Sequence, residues 1–271
     1  MSNILILSGH IGQKMEYVSY SKNNHQKYGS MHGYDVLFNL DSTINSSETK
    51  YDLESTCWQK LYWVKDSFQK NYDYIFYTDS DSIFSDLNKS LEDLIDLGKD
   101  FVFTGSSQVL FNAGHFLVKN SEFGRRMIDN WLSLEGIIFP KLNTTHQNLD
   151  GSLMDNPGGN LVLTGGFNFD RNQAVRIFNY SNGWLRNQDR FHKNFHRKYA
   201  PITKRNLENA RSLIHEEIRS RVGVVIKNRL NAFPFNEPGS RAGWKKSPIV
   251  HFCGGYAKTL LPEYCVNQKI I

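Results

Sequence analysis

Between Ile4 and Leu132, short apolar runs alternate with segments whose apolar residues recur every three to four positions. A chain with that alternation folds as a mostly parallel sheet with helices on its faces. Ile4 to Leu7 reads as a strand, Ser21 to His32 as a helix stopped by Gly33, and Asp35 to Phe38 as the next strand. Leu53, Cys57, Leu61, Val64 and Phe68 mark a helix laid on the sheet. Tyr74 to Thr78 is a strand, Ser90 to Leu97 a capped helix before Gly98, and Phe101 to Thr104 and Leu110 to Val118 are strands. Ser121 caps a helix that buries Phe123, Met127, Ile128, Trp131 and Leu132. Gly136 to Arg190 reads as loops with a hairpin, because Gly158-Gly159 and Gly165-Gly166 interrupt it. A long helix from Lys204 to Arg221, a strand from Val224 to Phe233, a loop from Pro234 to Gly243 and a short strand from Ile249 to Phe252 complete the pattern. The expected organisation is one domain over 1–271, with an inserted acceptor-side lobe around 155–222.

The strand at Tyr74 to Thr78 runs straight into Asp79-Ser80-Asp81. Alternate side chains of an extended chain share a face, so both carboxylates can reach one point. Like charges that close need a compensating partner, and a divalent cation supplies one. Ligands bind at the C-terminal edge of such sheets, where this pair stands. An EF-hand loop is excluded: its glycine and glutamate positions hold Phe84 and Ser90. An aspartyl-phosphate phosphatase, with Asp79 as nucleophile, stays open. So do a solvated turn and a metal held for a diphosphate leaving group.

At 271 residues and net charge +5, the chain can bury a sizeable core and carries only a modest field. Much of the charge lies in Arg190 to Arg205, a run that suits either a phosphate-bearing ligand or a solvated surface. No nucleic-acid-binding motif accompanies it, and no apolar run reaches membrane-spanning length. Cys57, Cys253 and Cys265 are odd in number and far apart, which points to reduced thiols and a soluble, cytoplasmic protein.

Several blocks, in order, resemble the galactosyltransferase family of the yeast mannan type, which includes plant xyloglucan xylosyltransferases. They are His32-Gly33-Tyr34-Asp35, Trp58-Gln59-Lys60, Tyr74 to Asp81, Phe111 to Asn120 (FNAGHFLVKN), Arg229 to Pro234 (RLNAFP) and Ile249 to Gly255 (IVHFCGG). The resemblance implies a GT-A fold with a Rossmann-like central sheet. It also implies a retaining transferase that uses Mn²⁺, with Mg²⁺ as the alternative, and moves a sugar from a UDP-linked nucleotide-sugar to a glycan acceptor.

Carried residue by residue, the resemblance gives the metal to Asp79, Asp81 and His251, a carboxylate and imidazole set that suits Mn²⁺. Ser80 would lie near the donor ribose or sugar. Lys60, Gly254 and Lys258 would face the donor, and Asn112, Ala113 and Gly114 would line its sugar pocket. Asp150 would stabilise the sugar ring or orient the acceptor. A binding protein that keeps the fold without transfer is the remaining reading. The sugar, the acceptor and the oligomeric state are not legible.

Overall fold

The computed structural model describes residues 2–12, 15–41, 52–105, 111–135, 155–168, 207–234, 244, 247–253 and 255–271. The first strand, β1 (Ile4–Ile11), leads through α1 (Glu16–His32) to β2 (Asp35–Asp41) and through α2 (Asp52–Ser67) to β3 (Tyr74–Thr78). Next come β4 (Ser82–Phe84), α3 (Leu91–Leu94), β5 (Phe101–Phe103), β6 (His115–Lys119) and α4 (Glu122–Leu132). The remaining elements are α5 (Asp155–Gly165), α6 (Leu207–Ser212), α7 (Glu216–Arg219), β7 (Val222–Val224), α8 (Lys227–Leu230), β8 (Ile249–His251) and α9 (Gly255–Gln268).

The main sheet has the order β2-β1-β3-β6-β5-β7. Strand β6 is antiparallel to both neighbours, and the other pairings are parallel. Successive residues of β1 and β3 feed opposite layers, as the two-residue period of a strand requires. Leu5, Leu7, Ile75 and Tyr77 pack with Trp58, Leu61 and Val64 of α2 and with Met127, Ile128 and Trp131 of α4. Ile4, Ile6, Tyr74 and Phe76 join Tyr28 of α1 and Leu91 and Leu94 of α3 on the other side. A second sheet pairs β4 with β8 antiparallel and sets Ser82 opposite His251. The first helix ends as its sequence indicates: Gly33 is left-handed (φ 73°) and its N–H closes on the Gly29 carbonyl.

Later segments depart from the expectations. Asp155–Gly165 is a helix, not loops, and its glycines serve packing. A Cβ on Gly158 would stand 2.7 Å from the Trp58 ring, and one on Gly159 would stand 2.3 Å from the Phe111 ring. The helix therefore docks tightly on aromatic side chains of the core. The Lys204 to Arg221 helix is two short helices where it is described, interrupted at His215, whose backbone is non-helical (ψ 137°) and whose Nδ1 accepts from the Glu217 N–H. In place of a strand over Val224 to Phe233, the chain forms β7, then α8, then a single bridge from Ala232 to Val250. Of the strand expected over Leu110 to Val118, Leu110 lies outside the described residues, residues 111–114 are not extended into the sheet, and the strand begins at His115. The helix expected over Ser90 to Leu97 is one turn, closed by a reciprocal Ser90–Asp93 capping box. Of the expected lobe, Leu161, Val162, Leu163, Ala210, Ile214, Ile218 and Val222 belong to the same buried cluster as β1 and β3. Among the described residues, no helix is long and apolar enough to cross a membrane.

Candidate active site

Strand β3 stops at Thr78, so Asp79 and Asp81 do not converge by strand alternation. The chain makes a turn in which the Ser82 N–H donates to the Asp79 carbonyl at 3.1 Å. The Asp79 N–H donates to the Gly114 carbonyl at 2.9 Å, and the Phe252 N–H donates to the Asp81 carbonyl at 2.8 Å. Three segments remote in sequence are thereby sewn together at the C-terminal edge of the sheet. Asp79, Asp81 and His251 each offer a ligand atom, and these atoms lie within 4.8 Å of one another.

The atoms divide their tasks. His251 Nε2 is 3.0 Å from Asp81 Oδ1 and 3.6 Å from Asp79 Oδ2. The outer oxygens are held elsewhere: Asp79 Oδ1 accepts from Lys60 Nζ at 3.1 Å and from the Tyr77 hydroxyl at 3.0 Å, and Asp81 Oδ2 pairs with Lys258 Nζ at 3.2 Å. One oxygen of each carboxylate and one imidazole nitrogen therefore face a common point. That donor set fits a divalent cation, and Asp79, Asp81 and His251 could hold one.

The charges are tightly interlocked. Burial works to raise the Asp81 carboxyl, but His251 and Lys258 outweigh it and the net value lies below the carboxylate range. Burial works to lower the His251 imidazole, and Asp81 and Asp79 raise it above its ordinary value. Lys60 is likewise opposed by burial and held well above its ordinary value by Asp155 and Asp79. Its ammonium bridges Asp79 and Asp155 Oδ2, the latter at 3.0 Å.

Of the other expected site residues, Asn112 accepts from the Gly114 N–H at 3.0 Å, and the Ala113 N–H donates to Asn156 Oδ1 at 2.6 Å. The open side of Gly114 faces His251: a Cβ there would meet the ring's Cε1 at 2.6 Å. Ser80, in the turn, lies within reach of the Tyr17 hydroxyl, whose acidity it affects together with Lys258. Asp150 and Gly254 lie outside the described residues.

Asp155, Asn156, Tyr77 and Asn231 were not anticipated. Asp155 and Asn156 open α5, and the signal for them was an acid in a first helical turn followed by Pro157, a residue that first turns tolerate. Asn231 lies in the RLNAFP block that resembles the family, but its partner was not legible, because it meets His251 through the Ala232–Val250 bridge.

Comparison with known proteins agrees with this architecture. Residues 2–100, which span β1 to the Asp pair and include Lys60, match the profile of the galactosyl transferase GMA12/MNN10 family. Among solved structures, the glycosyltransferase involved in glycosylation of the major capsid of PBCV-1 aligns over 96% of this chain and 99% of its own, with TM-score 0.54 and 14% identity. The fold is that of the GT-A glycosyltransferases. Its mixed sheet is the GT-A architecture. The chain also aligns with galactosyltransferase LgtC in complex with donor and acceptor sugar analogs, over 97% of this chain and 95% of that one, at TM-score 0.41 and 10% identity. The Drosophila β1,4-galactosyltransferase 7 in complex with manganese, UDP-Gal and xylobiose aligns over 46% of this chain and 52% of that one, at TM-score 0.32 and 17% identity. No curated protein sequence matches the chain.

Proposed function

We propose that the protein is a glycosyltransferase that takes a sugar from a UDP-linked nucleotide-sugar and passes it, with retained configuration, to a hydroxyl of a glycan acceptor, using Mn²⁺ or, in its place, Mg²⁺. The observation that carries this reading is the division of the carboxylates. Asp79 Oδ2, Asp81 Oδ1 and His251 Nε2 face inward while Lys60 and Lys258 hold the outer oxygens. A divalent cation bound there supplies positive charge where the departing diphosphate develops negative charge.

The protein's own groups do the rest. Lys60, fixed between two carboxylates, sets the rotamer of Asp79 and pairs with Asp155. Asp150 keeps the role that the resemblance gives it, and Asp155, paired with Lys60, is a further carboxylate able to stabilise positive charge on the sugar ring. Lys258 is partly exposed and can turn from Asp81 to a donor phosphate while keeping its charge. With no dedicated base assigned, the leaving phosphate oxygen accepts the acceptor's proton. The absence of any disulfide among Cys57, Cys253 and Cys265 accords with a reducing compartment, and we place the enzyme in the cytoplasm.

The test is UDP release from a panel of UDP-sugars, with Mn²⁺ and a mixture of glycan acceptors. At least one donor should be turned over, and Asp81→Ala should fall to the rate without enzyme. No release from any donor would favour a binding protein, and full activity of Asp81→Ala would refute the site.

A further inference from the structure

Two of the three inward-facing groups are fixed by a lysine, and the third is fixed by an amide. His251 is 3% exposed, and its Nδ1 lies 2.9 Å from Oδ1 of Asn231, which is fully buried. A carboxamide oxygen only accepts, so the ring nitrogen opposite it carries the hydrogen. Nε2 is then the nitrogen that faces Asp79 Oδ2 and Asp81 Oδ1, and a cation bound there would take the place of the hydrogen that Nε2 directs at Asp81. We propose that Asn231 is a positioning residue that sets the tautomer and rotation of His251, so that Nε2 is the nitrogen offered to a metal. The inference rests on the reading of Asp79, Asp81 and His251 as the metal-holding set.

The backbone supports the placement. After α8, Ala232 bridges to Val250, and the His251 N–H donates to the Ala232 carbonyl at 2.8 Å, which brings the preceding residue, Asn231, alongside the imidazole. The ring has little freedom to turn. Gly114 closes one side, since even a Cβ there would stand 2.6 Å from Cε1 and 2.9 Å from Nδ1. Phe233 lies over it with ring centroids 5.2 Å apart, and His115 meets it edge-on at the same separation. An asparagine also provides the acceptor without adding a third carboxylate to a site that already holds two. Sequence spacing could not disclose this, since Asn231 and His251 are twenty residues apart on different elements.

Two measurements test the assignment. The first is ¹⁵N NMR of the His251 ring in the full chain saturated with diamagnetic Mg²⁺. The expected form is hydrogen on Nδ1, and hydrogen on Nε2 as the main form would overturn the proposal. The second is Mn²⁺ affinity by calorimetry without donor or acceptor. Asn231→Leu should bind Mn²⁺ about 10- to 100-fold more weakly, the range for losing a partner of a metal-ligating histidine. Asn231→Asp keeps the acceptor and should bind Mn²⁺ more tightly than Asn231→Leu. An Asn231→Leu protein that binds Mn²⁺ as tightly as wild type would also overturn the proposal. If Asn231→Leu does not fold, the wild-type tautomer decides. Wild-type protein that binds no Mn²⁺ would instead refute the metal reading, and a hydrogen on Nδ1 bonded to Asn231 would leave the positioning of the ring standing.

Discussion

Lys60 shows how much one residue's meaning depends on partners that sequence does not reveal. Burying an ammonium is costly unless it is paired, and Asp79 and Asp155 supply two carboxylates at 3.1 and 3.0 Å. The lysine's place on α2 was readable, but not that Asp155, far along the chain, would meet it. Lys60→Met removes the shared cation and leaves both carboxylates uncompensated. The metal-free variant should lose about 3–5 kcal/mol in urea denaturation, the usual cost of breaking a buried pair. His25 offers a pH test with a definite sign. Burial lowers it from 6.5 to about 4 in the folded state, and its Nε2 donates to the Ser82 carbonyl at 2.9 Å. The unfolded chain therefore takes up this proton first as pH falls. Stability is full above pH 6.5, declines between 6.5 and about 4, and loses about 3 kcal/mol to this group in all. His115 is shifted in the same direction, so His25→Gln should reduce the slope of stability against pH in that interval without abolishing it.

At the scale of elements, legibility followed periodicity. α2 and α4 were readable because their buried residues repeat at helical spacing and Ser121 caps the second of them. α5 was not, because Gly158 and Gly159 carry the same letters whether a chain turns or packs closely. Here they let a helix lie against Trp58, Trp131 and Phe111. α9 was missed for a similar reason, with Gly255 at its start and Pro262 within it, yet it delivers Lys258 to Asp81. The two uses of glycine separate by mutation. Gly159→Val places atoms where the Phe111 and Trp131 rings already are and should cost about 1–3 kcal/mol by overpacking, often with displacement of α5. Gly33→Ala meets nothing within 4 Å and pays only for its left-handed backbone, about 1–2 kcal/mol. Chemical denaturation of both variants, with near-UV circular dichroism to follow the tryptophans, distinguishes packing from conformation.

Over the whole molecule, the alternation of strands and helices was enough to anticipate a mostly parallel sheet with a ligand edge. The position of the Asp pair at that edge was also legible. The reversed strand β6, the small β4–β8 sheet and the turn that aims Asp81 were not, since each is set by hydrogen bonds between distant segments. The carboxylates meet, but through a turn anchored to Gly114 and Phe252 and not through strand alternation. Asp150 and the basic run from Arg190 to Arg205 lie outside the described residues. The site thus joins the main sheet, the small sheet and α9 through Asp79, Asp81, His251 and Lys258. Its central claim is that the point they surround holds a divalent cation that meets a nucleotide diphosphate. The direct measurement is an anomalous difference map at the manganese edge from crystals soaked with Mn²⁺ and UDP. The account predicts one strong peak coordinated by Asp79, Asp81 and His251 Nε2, with the diphosphate of UDP on its open side. A manganese bound elsewhere, or UDP bound with no metal between those three side chains, would contradict it.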